Sequence, residues 1–362
     1  MSSTPRRKTP STARTAAPQQ QRIAIIGAGM AGVVCARTLA QAGHAVDVFE
    51  AAPQPGGRTA ALDSPFGSFD SGAQYFTVRD GRFQTALMQT VPDLCRRWSV
   101  STVRMLDAAG RVTTAAPPPS EAHWVATPTM GSLVDAWAAP LAQAGQLHTD
   151  QTVVGLTRGD GLRWQVRTRS RDGSTHERGE FDAVVLALPA PQAQALLLQS
   201  QLDVAWSAAL DGVDIAPCWT MMLAFAHAVQ PGLTTLGPQW NAARSTHHRI
   251  AWLARESSKP ARNQVERWTV QASPAWSREH LQDEPARVQG KLLKAFAEVT
   301  GIHAAPTHVQ LRRWQYAQTQ SSLGQTCVWD AELGLGACGD WCLGYRLEDA
   351  FVSGLELALA MA

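Results

Sequence analysis

Six residues near the start of the chain, Gly27-Ala28-Gly29-Met30-Ala31-Gly32, restrict its fold more than any other feature. They follow a branched apolar run, RIAIIG from Arg22 to Gly27, and open a helical pattern from Met30 to about Ala42 that Gly43 stops. The pattern predicts a strand, a tight turn and a helix. The first glycine permits the turn, the second lets backbone approach a pyrophosphate, and the third lets the helix pack on the strand. The helix N-terminus, with Met30 and Ala31 in its first turn, attracts negative charge. A second strand, AVDVFE from Ala45 to Glu50, ends on a carboxylate 23 positions after Gly27, where it can bind a ribose diol.

The far end of the chain carries a matching signature, Gly339-Asp340-Trp341. LGLGAC, from Leu333 to Cys338, reads as a strand that delivers Asp340 at its carboxyl end. Apolar residues at Leu347, Ala350, Phe351, Gly354, Leu355 and Ala358 then repeat at helical spacing. A flavin dinucleotide must be gripped at both its AMP half and its flavin half, so the two signatures together imply bound FAD.

Between them lie Gly56-Gly57-Arg58-Thr59 and Phe69-Asp70-Ser71-Gly72-Ala73-Gln74-Tyr75. In this the chain resembles the FAD-dependent amine oxidase superfamily, whose members carry a GGR segment just after the ribose-binding acid. It is most similar to the renalase branch and its bacterial homologues, in which GGR is followed by GAQY. The likeness runs in order from Arg22 to the C-terminus. It implies a glutathione-reductase-type α/β fold of two domains, like that of p-hydroxybenzoate hydroxylase and the amine oxidases. A Rossmann-like parallel sheet with a β-meander would bind FAD, and a mixed sheet would cover the substrate.

The resemblance also implies roles. Arg58, with Gly57, would contact the FAD phosphates; Gln74 and Tyr75 would lie against the flavin. Asp340 would bind a ribityl hydroxyl, and the last helix, from Leu347, would point its N-terminus at the flavin O2, where positive partial charge suits a flavin that gains negative charge on reduction. Backbone at Val153 or Val154 would touch adenine. Asp349 departs from the family pattern, which often has glycine there, and leaves the geometry of this loop open.

The rest of the chain suits a soluble enzyme. With 362 residues, of which 45% are hydrophobic and 17% charged, it can bury a large core in two domains. A net charge of +2 argues against nucleic-acid or membrane-surface binding through bulk charge. Six cysteines show no paired metal-ligand spacing, so no metal is expected and the thiols read as reduced in a cytoplasmic protein. There is no apolar run of eighteen residues. Residues 1–21 read as a disordered tail without a signal-peptide core.

Three short strands near 152–157, 162–168 and 175–180, joined by Gly159-Asp160-Gly161 and Asp172-Gly173, predict the meander. FDAVVLAL, from Phe181 to Leu188, predicts a strand buried on both faces. Helices are expected over Phe83 to Trp98, Pro128 to Leu141 and Ser277 to Thr300. Strands are expected over Cys218 to Phe225, Arg249 to Ala254, Trp268 to Ala272 and His308 to Arg313. The resulting division assigns 22–82, 126–205 and 315–362 to FAD binding. It assigns 83–125, with its Pro117-Pro118-Pro119 loop, and 206–314 to a substrate domain.

A flavin accepts hydride itself, so the protein need supply only orientation and electrostatics. Tyr75, Trp341 and Arg346 are the expected catalytic residues. His247, His248, Arg255, Lys259, Trp314 and Tyr316 are further pocket candidates, although His247 and His248 read more readily as a polar loop, Lys259, before Pro260, as solvated, and Trp314 and Tyr316 equally as hinge packing. Aligned with amine oxidases, Arg346 falls where those enzymes place an aromatic residue of their amine-clamping cage. A guanidinium there repels an ammonium and suits a carboxamide or phosphate. The resemblance to the renalase branch implies oxidation of the 2- and 6-dihydro isomers of NAD(P), with O2 as acceptor. Amine or porphyrinogen oxidation, desaturation and non-catalytic flavin binding stand as alternatives.

Overall fold

Branched and aromatic residues fill both faces of a six-stranded sheet. In the computed structural model, which describes residues 20–98, 103–114, 121–159, 161–226, 237, 238 and 240–362, the strand Arg22–Ile26 pairs in parallel with Ala45–Phe49 on one side and Ala183–Leu186 on the other. Leu147–His148 and Leu335–Ala337 extend the parallel sheet outward, and Val328–Asp330 closes one edge antiparallel. Alternate residues of the central strand serve different cores. Ile23 and Ile25 pack beneath the helices Met30–Gln41, Ser132–Gln143 and Leu347–Met361. Ala24 and Ile26 face Leu156, Trp164, Val166 and Phe181. Such a strand must be apolar throughout.

The second core lies under the meander, an antiparallel sheet of Gln151–Arg158, Trp164–Ser170 and Thr175–Phe181. On the helical side, the first and last helices approach closely. A Cβ on Gly354 would drive into the carbonyl oxygen of Ala31, so this position has room only for glycine.

A seven-stranded sheet forms the other half. Its order is His308–Ser321, Asp214–Phe225, Glu266–Ala272, Ile250–Arg255, Ala242–Ser245, Val103–Leu106 and Val112–Thr114, antiparallel except between Ala242–Ser245 and Val103–Leu106. Val288, Leu292 and Phe296 of helix Pro285–Thr300 bury its Trp268 and Val270.

Proline corrects two expected helices. The one expected through Trp98 ends at Thr90 because Pro92 disfavours helical backbone at Val91; Cys95–Trp98 is instead a strand paired with His123–Ala126. The one expected from Ser277 is two helices, Pro274–Glu279 and Pro285–Thr300, each started by its proline. His308–Ser321 runs unbroken through Trp314 and Gln315. The tail through residue 19, the Pro117-Pro118-Pro119 loop and Asp160 lie outside the described residues. Among the described residues, no helix is long and apolar enough to cross a membrane.

Candidate active site

Gly27, Glu50 and Asp340 each follow a strand of the parallel sheet and so line up along its carboxyl edge, the edge where open α/β sheets bind ligands. Gly27 has φ +104°, and a Cβ there would lie 2.5 Å from the carbonyl oxygen of Ala187. A Cβ on Gly32 would collide with the carbonyl oxygen of Gly27. Gly29 differs: nothing lies within 4 Å of its Cβ position. Two of the glycines are therefore explained by the protein's own packing, and the third faces open space at the start of helix Met30–Gln41, whose first N–H groups have no intrahelical acceptor.

The Glu50 carboxylate holds this loop, accepting from the Ala28 N–H at 2.7 Å and the Ala52 N–H at 2.8 Å. The Gln151 N–H donates to the Glu50 carbonyl, which puts Val153 two residues along the adjoining strand. The ladder shifts register between Val153 and Gly155, so backbone there is irregular.

Gly56 and Gly57 both have positive φ, +124° and +53°, and the turn they form lays Gly57 against Gly29. It also aims Arg58 at Asp340. The guanidinium donates twice to that carboxylate, at 2.8 and 2.5 Å, and the Thr319 hydroxyl adds a bond at 3.5 Å. Leu347 begins the last helix beside this pair, after the Asp340–Cys342 turn. The Arg346 N–H donates to Asp349, whose carboxyl burial raises above the usual range. A Cβ on Gly344 would sit 2.6 Å from the same carboxylate, so Asp349 occupies the space a larger loop residue would need. Open space at Gly29, two helix N-termini, the Arg58 cation and the Glu50 carboxylate fit a flavin dinucleotide: donors for its phosphates and acceptors for its hydroxyls stand along one edge.

Two expected contacts take another form. Trp341 has no exposed surface; its ring packs with Leu186 and Ala337, and its Nε1 donates to the Leu188 carbonyl at 2.9 Å. It is a core residue and cannot touch a substrate. The Gln74 side chain turns inward, its Nε2 donating to the Gly72 carbonyl and its Oε1 accepting from Lys259 at 3.2 Å, which leaves only its backbone for a cofactor.

Lys259 is itself wholly buried, not solvated. Besides Gln74 it donates to Asp70 at 2.9 Å and Glu256 at 3.0 Å. Arg262 donates to the same Asp70 oxygen at 2.9 Å, and the Met130 N–H to the other at 2.8 Å. Burial alone would raise the Asp70 pKa, but the two cations outweigh it and hold the carboxyl below its ordinary range. Burial raises Glu256, against the pull of Lys259. This network ties the Gly72-Ala73-Gln74 segment to the second sheet, aided by Gln271, which donates to the Gly72 carbonyl at 2.7 Å, and by Trp314, which donates to the Ser71 carbonyl at 2.9 Å.

Tyr75 stands at the other side of that segment among aromatic rings. Its ring stacks on His123 with centroids 3.8 Å apart and approaches Trp252 at 5.6 Å and Trp98 at 6.5 Å. Arg244 donates to the Tyr75 hydroxyl at 3.2 Å and lies over Trp252. His123 went unnoticed in the sequence because a lone histidine in a short strand carries no pattern; only the Phe76–Trp124 bridge sets it beside Tyr75. The other candidates lie elsewhere. His247 stacks on His248 and bonds Glu298, Arg255 pairs with Glu266, and Tyr316 packs on the second core. Among the described residues no group of three His, Cys, Asp or Glu is placed to hold a metal ion.

Comparison with known proteins decides the family. Residues 118–361 match the model of the flavin containing amine oxidoreductases, and residues 25–90 that of an NAD(P)-binding Rossmann-like domain. The chain belongs to the flavin-containing amine oxidoreductase family. It is an FAD-dependent oxidoreductase. Its fold is similar to that of a candidate protoporphyrinogen oxidase from Exiguobacterium sp. 255-15, with 12% identity, TM-score 0.72 and coverage of 95% of this chain and 99% of the other. A triple mutant of putrescine oxidase, redesigned in its cofactor binding, gives 12% identity, TM-score 0.66 and coverage of 94% and 98%. At such identity the likeness concerns the fold alone.

Proposed function

We propose that this FAD-dependent oxidoreductase oxidises the 2- and 6-dihydro isomers of NAD(P): each isomer, with one proton and O2, gives NAD(P)+ and hydrogen peroxide. The observation that carries this reading is Arg244 on Tyr75. An aromatic cage can hold a substrate ammonium, but here a guanidinium already lies over Trp252 and bonds the Tyr75 hydroxyl. A second cation would be repelled, whereas a carboxamide or phosphate gains donors. Arg346, just before the last helix, is a further cation, its charge felt by Glu121 and Asp349.

Bound FAD supplies the hydride acceptor. The chain's own residues then have a modest task. Arg58, Asp340 and the loop at Gly29 hold the cofactor without a covalent bond, Val153 backbone meets the adenine, and Tyr75 places the substrate ring. Residues 22–82, 126–205 and 315–362 form the cofactor half of this arrangement, and 83–125 with 206–314 its roof. No catalytic base is required, because loss of hydride restores the aromatic pyridinium. Ordinary 4-dihydro NADH carries its hydride on a different carbon and reacts slowly, since small misplacements are costly. Six free cysteines suit a reducing compartment, which supports a reaction in the cytoplasm.

The test is anaerobic stopped-flow mixing of the holoenzyme with each isomer, with NADH and with simple amines, followed by an oxygen pulse and a peroxide assay. Fast bleaching of the flavin by either isomer is expected. Bleaching by an amine or a porphyrinogen, with none by either isomer, overturns the reading.

A further inference from the structure

We propose that His123 is a substrate-binding residue, whose Nδ1 forms a hydrogen bond with a carboxamide carried by a flat substrate ring lodged beside Tyr75. The inference deepens the reading above and rests on it. Three observations lead here. First, the His123 ring lies nearly parallel to that of Tyr75, at 17° and 3.8 Å, so its edge and that of Tyr75 border the same space. Second, His123 is 8% exposed, and its Nδ1 is buried with no hydrogen-bond partner among the described residues. Buried polar atoms in native proteins nearly always have partners, so an orphan beside a candidate site calls for a ligand atom or a water. Third, the charges around it are arranged to keep the ring neutral. Burial, with Arg244 adding and Glu121 opposing, lowers its pKa to about 4. In a neutral imidazole Nδ1 is a donor or an acceptor according to the tautomer, and a carboxamide can meet either, accepting at its carbonyl or donating from its NH2. Arg244, already on Tyr75, adds no acceptor, whereas the lone pair of an unprotonated His123 Nδ1 can accept from the amide NH2.

Two substitutions separate this role from that of a ring that merely supports Tyr75. His123→Phe keeps a flat ring against Tyr75 and removes the nitrogen. His123→Asn removes the ring and keeps an amide near the position of Nδ1. The holoenzyme is titrated with nicotinamide, which carries the carboxamide but donates no hydride, and binding is read from the flavin absorbance shift; the KM and kcat for the dihydro isomers are measured alongside. We expect His123→Phe to weaken nicotinamide roughly tenfold and to raise KM by a similar factor, with kcat changing much less, and His123→Asn to recover most of that affinity. Unchanged affinity in His123→Phe, or equal losses in both variants, overturns the assignment. The two readings fail separately: a wild-type enzyme that no dihydro isomer reduces refutes the proposed function, whereas one that is reduced normally but ignores the loss of the nitrogen refutes only the role of His123.

Discussion

Arg58 and Asp340, 282 residues apart, meet through two parallel hydrogen bonds of 2.8 and 2.5 Å. A bidentate guanidinium–carboxylate pair fixes both orientation and distance. The turn after the second strand and the turn before the last helix are therefore one structural unit. Arg58→Ala or Asp340→Ala should each weaken FAD retention by about 1.5–3 kcal/mol, roughly tenfold or more. Because the partners touch, the double variant should lose less than the sum. Fluorescence titration of apoprotein with FAD measures all three, and unchanged affinity would make the pair a purely structural contact.

Gly29 and Gly354 should respond differently to an added methyl group. Gly29→Ala adds a methyl where nothing lies within 4 Å, so the apoprotein should melt as wild type does while its FAD affinity falls. Gly354→Ala presses on the Ala31 carbonyl and should cost about 1–3 kcal/mol in stability by overpacking. Thermal unfolding of both apoproteins, with FAD titration, separates a cradle for ligand from a contact between helices.

FAD should be released entirely by acid precipitation. None of the six cysteines is at a position recognisable from the covalent amine oxidases, and Cys35, Cys338 and Cys342 are buried in the cores. Yellow colour left in the pellet would contradict this.

His123 should make the protein less stable toward acid. Its folded pKa of about 4 lies below the ordinary 6.5, so between those values the unfolded chain takes up a proton that the native ring refuses. This part of the stability is complete above pH 6.5 and is lost as pH falls toward 4. The groups facing the ring are Arg244, Glu121 and Tyr75, and they persist in His123→Phe. Melting temperature against pH should therefore fall more steeply below 6.5 in wild type than in that variant; parallel curves would refute the account.

Lys259→Met should destabilise by about 3–5 kcal/mol, because it strips a cation from the buried carboxylates of Asp70 and Glu256. Denaturant unfolding gives the value. A loss below 1 kcal/mol would mean that Arg262 alone satisfies Asp70.

The cofactor half was largely legible in the sequence because its signatures are short, continuous runs of residues. Gly27, Gly32 and Gly57 answer to backbone within a few ångströms, and a strand buried on both faces, such as Ala183–Leu186, must be apolar at every position. The substrate half was less so. Its contacts join residues far apart in the chain, as Lys259 joins Asp70 and Gln74, and a lysine before a proline gives no sign that it will be buried. Trp341 misled for the same reason. Adjacency to Asp340 says nothing about which way the ring turns, and the Leu188 carbonyl that claims its N–H is 153 residues away.

Strand His308–Ser321 pairs with Asp214–Phe225 of the seven-stranded sheet along its whole length and also reaches Asp340 through Thr319. A single stiff beam thus spans both halves, and Trp314 and Arg312 on it bond the Ser71 backbone and hydroxyl midway. A jaw that swings open about a flexible hinge would have to break these fastenings. Traffic into and out of the site must instead pass by local movements of side chains at its mouth, and a substrate is accepted by fitting a vessel whose walls are already set.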